Sequence, residues 1–195
     1  MKLVFATQNQ NKLREIKKLL PPNIDLVSLN EIGCTESIPE TAETLQGNAK
    51  LKSDYVYQKY KLPCFADDSG LVVDSLNGEP GVYSARYAGK ENDAQANMDK
   101  LLKSLETKKD RSASFKTVIA LNLNGETQFF KGSVQGKITH TKKGIQGFGY
   151  DPIFLPNGYT ETFAELPIET KNEIGHRGKA FSKLITYLQS NHVTI

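Results

Sequence analysis

The sequence predicts an α/β fold, and three observations carry that prediction. A short apolar run opens the chain, an amphipathic helical pattern follows, and a second short apolar run comes after a proline pair. This β-loop-α-β opening marks strands that alternate with helices. Later, two alternating segments flank an Asn-Gly dipeptide, which adds a hairpin. The 195 residues suffice for one generous domain with a sizeable core, or one core with two lobes. We read the whole chain, 1–195, as a single domain.

Taken in order, residues 2–6 (Lys-Leu-Val-Phe-Ala) read as a short buried strand. Leu13, Ile16, Leu19 and Leu20 fall at helical spacing until Pro21-Pro22 stops them. Ile24 to Leu29 read as a second strand. A long helix is expected from Thr41, its cap, to Tyr60, with Ala42, Leu45, Ala49, Val56 and Tyr60 as the apolar stripe. Lys52 interrupts that stripe. A lysine is rarely buried without a partner, so it either points into a cleft or snorkels to solvent.

Cys64-Phe65-Ala66 enters a strand that is expected to break at Asp67-Asp68-Ser69-Gly70 and to resume at Leu71-Val72-Val73. Residues 77–90 read as an irregular loop and Asp93 to Leu105 as a helix. Residues 114–123 and 126–134 form the hairpin around Asn124-Gly125, and 136–141 read as a further strand. Gly144 to Gly149 is a glycine-rich loop. A last helix over 177–190 carries Phe181, Leu184, Ile185 and Leu188 on one face.

Composition narrows the function. The net charge of +3, from 25 basic and 22 acidic residues, is too balanced for general nucleic-acid binding. It still allows a small anionic ligand, which needs only local positive charge. Cys34 and Cys64 lie outside any CxxC pattern and read as reduced packing residues. No signal peptide or transmembrane stretch is legible, so the expected setting is soluble and cytoplasmic.

Four places carry chemistry. Thr7-Gln8-Asn9-Gln10-Asn11-Lys12 lies between the first strand and the first helix, where backbone N–H groups suit a phosphate. The same letters also make an ordinary helix cap. Asp67-Asp68-Ser69 places two acids in an apolar strand, where a carboxylate needs a partner or a metal. Adjacent strand residues face opposite sides, so one acid faces the cleft. It reads as a Mg²⁺ ligand or a base that activates water, against a plain Asp-Gly turn.

Phe148-Gly149-Tyr150-Asp151 pairs two aromatics through glycine, which suits a flat ligand or a tight packed turn. Lys171, His176 and Arg177 cluster before the last helix, where donors fit a purine edge or a phosphate, or form a solvated helix start. Glu36, Glu40 and Glu43 precede or open the long helix, where an acid is stabilising on dipole grounds alone.

The order of these segments is more specific than any one of them. Thr7-x-Asn9-x-x-Lys12, Asn48-Ala49-x-x-Lys52, Asp67-Asp68-Ser69-Gly70-Leu71, Gly81-Val82-Tyr83-Ser84-Ala85-Arg86, Phe148-Gly149-Tyr150-Asp151-Pro152 and His176-Arg177 occur in sequence. The chain closely resembles the inosine/xanthosine triphosphate pyrophosphatase family, also called the Ham1 or RdgB family, from about residue 2 to residue 190.

The resemblance implies a long, twisted mixed β-sheet flanked by helices in two lobes, with a nucleotide cleft between them. It implies Mg²⁺-dependent hydrolysis of inosine, deoxyinosine and xanthosine triphosphates to monophosphate and pyrophosphate, and a homodimer without nucleic-acid or membrane partners. In that reading Thr7, Gln8, Asn9, Gln10, Asn11 and Lys12 hold the phosphates, with Lys52 stabilising the departing pyrophosphate beside Lys12. Asp68 is the proton acceptor and a metal contact, Ser69 touches substrate, and Glu40 is the second metal ligand. Phe148, Gly149, Tyr150, Asp151, Lys171, His176 and Arg177 bind the nucleotide, with Phe148 against the base and His176 and Arg177 donating to its 6-keto edge.

Three positions depart from the family pattern. Gly47 stands where many relatives have Glu, Gly175 where many have Ser, and Gly144-Ile145-Gln146-Gly147 where many have Gly-Thr-Gly-Gly. Two other readings compete: a Maf-like pyrophosphatase for other modified nucleotides, and a non-catalytic nucleotide-binding protein.

Overall fold

The computed structural model describes residues 2–89 and 92–190. Strand β1 (Lys2–Phe5) is followed by α1 (Gln10–Lys17), β2 (Asp25–Ser28), α2 (Leu45–Tyr60) and β3 (Cys64–Val73). Then come α3 (Ala94–Ser104), β4 (Ser112–Leu123), β5 (Glu126–Ile138), β6 (Phe154–Pro156), α4 (Ile168–Ile174) and α5 (His176–Ser190). The six strands form one sheet in the order β2-β1-β3-β4-β5-β6. It is mixed: β1 runs parallel to β2 and to β3, whereas β5 and β6 are antiparallel.

The chain divides into two compact units. The first comprises residues 1–68, 117–132 and 177–195, and the second 69–116 and 133–176. One boundary falls inside β3, between Asp68 and Ser69, and another between His176 and Arg177.

In the first unit the two-residue period of the strands separates two cores. Leu3, Phe5 and Phe65 point to one face, where Leu13 and Ile16 of α1 and Phe181, Leu184 and Leu188 of α5 cover them. Phe5 and Phe65 stack with ring centroids 4.4 Å apart. Val4, Ala6, Cys64 and Ala66 point the other way, against Val56 of α2 and Cys34. In the second unit Leu71 and Val73 of β3 join Met98, Leu101 and Leu105, Phe115 of β4, and the aromatic group Tyr150, Phe154 and Phe163.

Most expected elements are present, and the differences have local causes. Strand β3 does not break at Asp67-Asp68-Ser69-Gly70; it is continuous from Cys64 to Val73. It lies between β1 and β4, and its two carboxylates find polar partners on the helices. The cap of α2 is Thr44, whose hydroxyl accepts from the Gly47 N–H at 3.0 Å, and not Thr41. The separate strand expected over 136–141 begins inside the end of β5. There Gly136 lies so close to β6 that a Cβ would approach the Leu155 carbonyl oxygen to 2.4 Å. Asn124 and Gly125 both adopt positive φ, as a type I′ turn requires. The short β6 and α4 were not foreseen; three and seven residues leave too little periodicity to read.

Among the described residues no helix is long and apolar enough to cross a membrane. Cys34 and Cys64 are free, buried thiols, as the sequence suggested. Burial pushes the Cys64 thiol up to about 12. We therefore expect a thiol-specific colour reagent to find no reactive cysteine in the native protein at neutral pH, and two after denaturation. Rapid native labelling of both would contradict this packing.

Candidate active site

The alternation that sorts the two cores also sorts the two acids. Asp67 continues the parity of Phe65 and so meets α1 and α5. Asp68 continues the parity of Ala66 and meets α2.

On the α1/α5 face, Lys12 Nζ donates to Asp67 Oδ1 at 2.9 Å, and Arg177 Nε approaches Asp67 Oδ2 at 3.4 Å. Arg177 Nη1 also donates to Glu15 of α1. Glu15, Asp67 and Arg177 are all buried. Two acids and two cations thus alternate as Glu15–Arg177–Asp67–Lys12, and each charge has an opposite neighbour, which such burial demands. Burial alone would raise the Asp67 carboxyl, but the charges of Lys12, Arg177 and Lys52 outweigh it and hold it well below the usual carboxylate range. Burial lowers the Lys12 ammonium, with Asp67 opposing.

On the α2 face the balance is different. Asp68 Oδ2 accepts from the side-chain amide of Asn48 at 3.1 Å. Lys52, one helical turn beyond Asn48, donates to Glu40 at 2.5 Å. Burial raises the Asp68 carboxyl; Lys52 and Lys12 oppose this, Glu40 adds to it, and the net shift is upward. Lys52 loses by burial but is held above its ordinary value by Asp68, Glu40 and Asp67. Lys52 is therefore buried and bonded to Glu40, which excludes the snorkelling alternative.

The Thr7–Lys12 segment is organised as a helix cap. Asn9 Oδ1 accepts from the N–H groups of Asn11 at 2.9 Å and Lys12 at 3.2 Å. Thr7 Oγ1 accepts from the Asn9 N–H, and Gln8 donates to the Glu36 carbonyl. Asn11 accepts from Arg14, and Gln10 is exposed.

The second unit holds the aromatic group. Asp151 Oδ2 accepts from Lys171 Nζ at 2.6 Å and from the Phe148 N–H at 2.7 Å. Lys171 Nζ lies 4.9 Å from the Phe148 ring centroid. Gly147 has φ +74°, and a Cβ there would collide with Asp151 Oδ2 at 2.1 Å, so only glycine allows the loop to close on that carboxylate. His176 is stacked on Phe115, with centroids 4.6 Å apart. The Tyr150 ring is buried in the core and its hydroxyl donates to the Ser84 carbonyl, so this side chain supports the loop. Half-buried Ser69 follows Asp68 on β3.

The residues present fit a magnesium ion. Mg²⁺ keeps several waters and takes one or two carboxylates together with substrate phosphates. Asp68 and Glu40 supply carboxylates of the kind this mode of binding uses, with Lys52 bonded to Glu40 and its charge also acting on Asp68. Among the described residues no group of three His, Cys, Asp or Glu gathers as an all-protein cage, which this mode of binding does not need.

Residues 3–187 match the sequence model of the Ham1 family. The chain belongs to that family. The Ham1 chain is 62% identical over 188 residues to the dITP/XTP pyrophosphatase of Flavobacterium johnsoniae, covering 96% of this chain and 98% of the relative. Its fold matches the Ham1 protein of Staphylococcus aureus with a TM-score of 0.90 at 40% identity, over 98% of this chain and all of that one. It also matches the nucleoside-triphosphatase / dITP/XTP pyrophosphatase of Mycobacterium abscessus, with a TM-score of 0.78 at 41% identity over 94% and 98% of the two chains.

Sequence reasoning missed Glu15 of the Ham1 chain, which looks like an ordinary surface acid of an amphipathic helix. Its only signal is its place one position before Ile16, on the buried side of α1. Arg177 was expected at a base edge. Its Nε and Nη1 face Asp67 and Glu15, as two buried carboxylates on that side of the sheet require of a cation.

Proposed function

We propose that the protein hydrolyses inosine, deoxyinosine and xanthosine triphosphates to the nucleoside monophosphate and pyrophosphate. The observation that carries the reading is the contrast between the two adjacent acids. Asp67 is paired with Lys12 and Arg177, whereas Asp68 accepts from the neutral amide of Asn48 and its carboxyl is raised by burial. Family membership and the named activity of the relatives support the same reaction.

In this mechanism Asp68 accepts a proton from a water as the water oxygen attacks the α-phosphorus. The α–β bridging P–O bond breaks, and pyrophosphate leaves with the bridging oxygen and its electron pair. Asp68 and Glu40 would hold a Mg²⁺ ion, whose chemistry is to neutralise phosphate charge that repels the nucleophile. Lys12 and Lys52 stabilise the negative charge developing on the departing pyrophosphate. The Thr7–Lys12 segment and Ser69 contact the phosphates.

In the second unit Phe148 offers its ring to the base, with Asp151 and Lys171 fixing the loop that carries it. His176 and Arg177 are consecutive in the chain and read the 6-keto acceptor of hypoxanthine and xanthine. An adenine amino group would leave such donors without an acceptor, which a built site discriminates by about 10⁴ or more. The reading includes a homodimer and a cytoplasmic role in clearing deaminated purine nucleotides.

The test is pyrophosphate release from inosine, guanosine and adenosine triphosphates, with Mg²⁺ and with chelator. Metal-dependent release from inosine triphosphate alone is the expected result. Equal rates on all three would remove the base-edge argument. No release from any of them, with turnover of methylated pyrimidine triphosphates, would favour the Maf-like reading. Binding without turnover would make it a nucleotide-binding protein.

A further inference from the structure

We propose that Asn48 is a positioning residue that locks the Asp68 carboxylate and the Glu40 loop into one geometry. The proposal rests on the functional reading above and names how its base is held. Asn48 is completely buried in the first turn of α2, although asparagine is a poor helix former. A buried carboxamide is tolerated only when both ends are bonded. Here both are. Its Oδ1 accepts from the Ala42 N–H at 2.9 Å, and its Nδ2 donates to Asp68 Oδ2 at 3.1 Å.

One neutral group therefore ties β3 to the loop two residues beyond Glu40. The close approach that this needs is visible at the neighbouring residue. A Cβ on Gly47 would meet the Ala42 Cβ at 2.6 Å, so the glycine lets the start of α2 lie against the loop. Lys52, four residues on and on the same helix face, bonds Glu40 itself. The helix thus bonds Glu40 through a charged group and Asp68 through an uncharged one, with the Lys52 charge also acting on Asp68. The amide fixes the direction of the Asp68 carboxylate, whereas the bond from Lys12 to Asp67 is an ion pair.

Two variants separate positioning from plain support. Asn48→Leu removes both bonds. Asn48→Asp keeps an acceptor for the Ala42 N–H but sets an oxygen against Asp68 Oδ2. For both we expect kcat on inosine triphosphate to fall about 10–100-fold while KM changes by less than about threefold, the pattern of a misplaced reacting group. Hydrogen exchange at the Ala42 amide should stay protected in Asn48→Asp and become fast in Asn48→Leu. Should Asn48→Leu unfold, Asn48→Asp decides.

Parent-like kcat in Asn48→Asp overturns the proposal, and so does its loss of fold, since either would make the role one of loop support alone. A rise in KM at unchanged kcat overturns it as well. The parent protein is assayed beside them. A parent that releases no pyrophosphate overturns the functional reading, whereas an active parent with an equally active Asn48→Asp overturns only the role of Asn48.

Discussion

Asp68→Asn should lower the turnover of inosine triphosphate by roughly 10²–10⁴-fold, the usual contribution of a positioned general base. The substitution keeps the shape of the side chain and removes its ability to take a proton. The fold should survive, because Asp68 is held by the neutral Asn48 amide and an asparagine can still accept from it. The argument for Asp68 over its neighbour is electrostatic. Asp67 lies between two cations that keep it ionised far into acid, and a carboxylate so stabilised is a poor proton acceptor. Burial and the nearby Glu40 make Asp68 more basic. Initial rates of pyrophosphate release, with circular dichroism to check folding, would decide the matter. A folded Asp68→Asn protein working at the native rate would show that the base lies elsewhere.

Arg177→Met should destabilise the protein by about 3–5 kcal/mol, the penalty for removing one partner from a buried ion pair. Arg177, Glu15 and Asp67 are 5%, 6% and 1% exposed, so solvent does little to relieve the loss. Methionine replaces much of the volume but removes the guanidinium that bonds Glu15 and faces Asp67, while the bond from Lys12 to Asp67 remains. For a chain of this size the midpoint of thermal unfolding should drop by roughly 6–20 °C.

The acid side should respond too. The Asp67 pKa is depressed by folding, so its stabilisation is present above the unfolded value of ~3.9 and is lost as pH falls through the lower folded value. Without Arg177 the folded value rises toward the unfolded one, so the stabilisation is smaller and its loss is complete at a higher pH. Melting curves from about pH 1.5 to 7 would show this. Equal midpoints for parent and variant across that range would mean that the Glu15–Arg177–Asp67 contacts contribute no stability.

Much of the scaffold was legible from local pattern. The strand-helix-strand opening, the amphipathic stripes of α3 and α5, and the Asn124-Gly125 hairpin each follow from sterics and periods that act over a few residues. That the two acids must face opposite ways was also readable from Asp67-Asp68 alone. The error at β3 came from the same local reasoning, because Asp-Ser-Gly letters favour a turn when no partner strands or paired charges are counted. The cap at Thr44 was misplaced for a related reason. The Ala42 N–H is taken by Asn48, a bond that holds residues ahead of Thr44 outside the helix.

What the sequence by itself determined, then, is the set of elements and the chemical groups placed on them. Which group meets which was decided by the tertiary structure. Glu15 and Arg177 are 162 positions apart, and Lys12 and Asp67 are 55 apart. No period links such pairs. They are selected because a charge taken out of water must find an opposite charge or a hydrogen-bond partner wherever packing brings one near. That requirement depends on distance in space and not on distance along the chain.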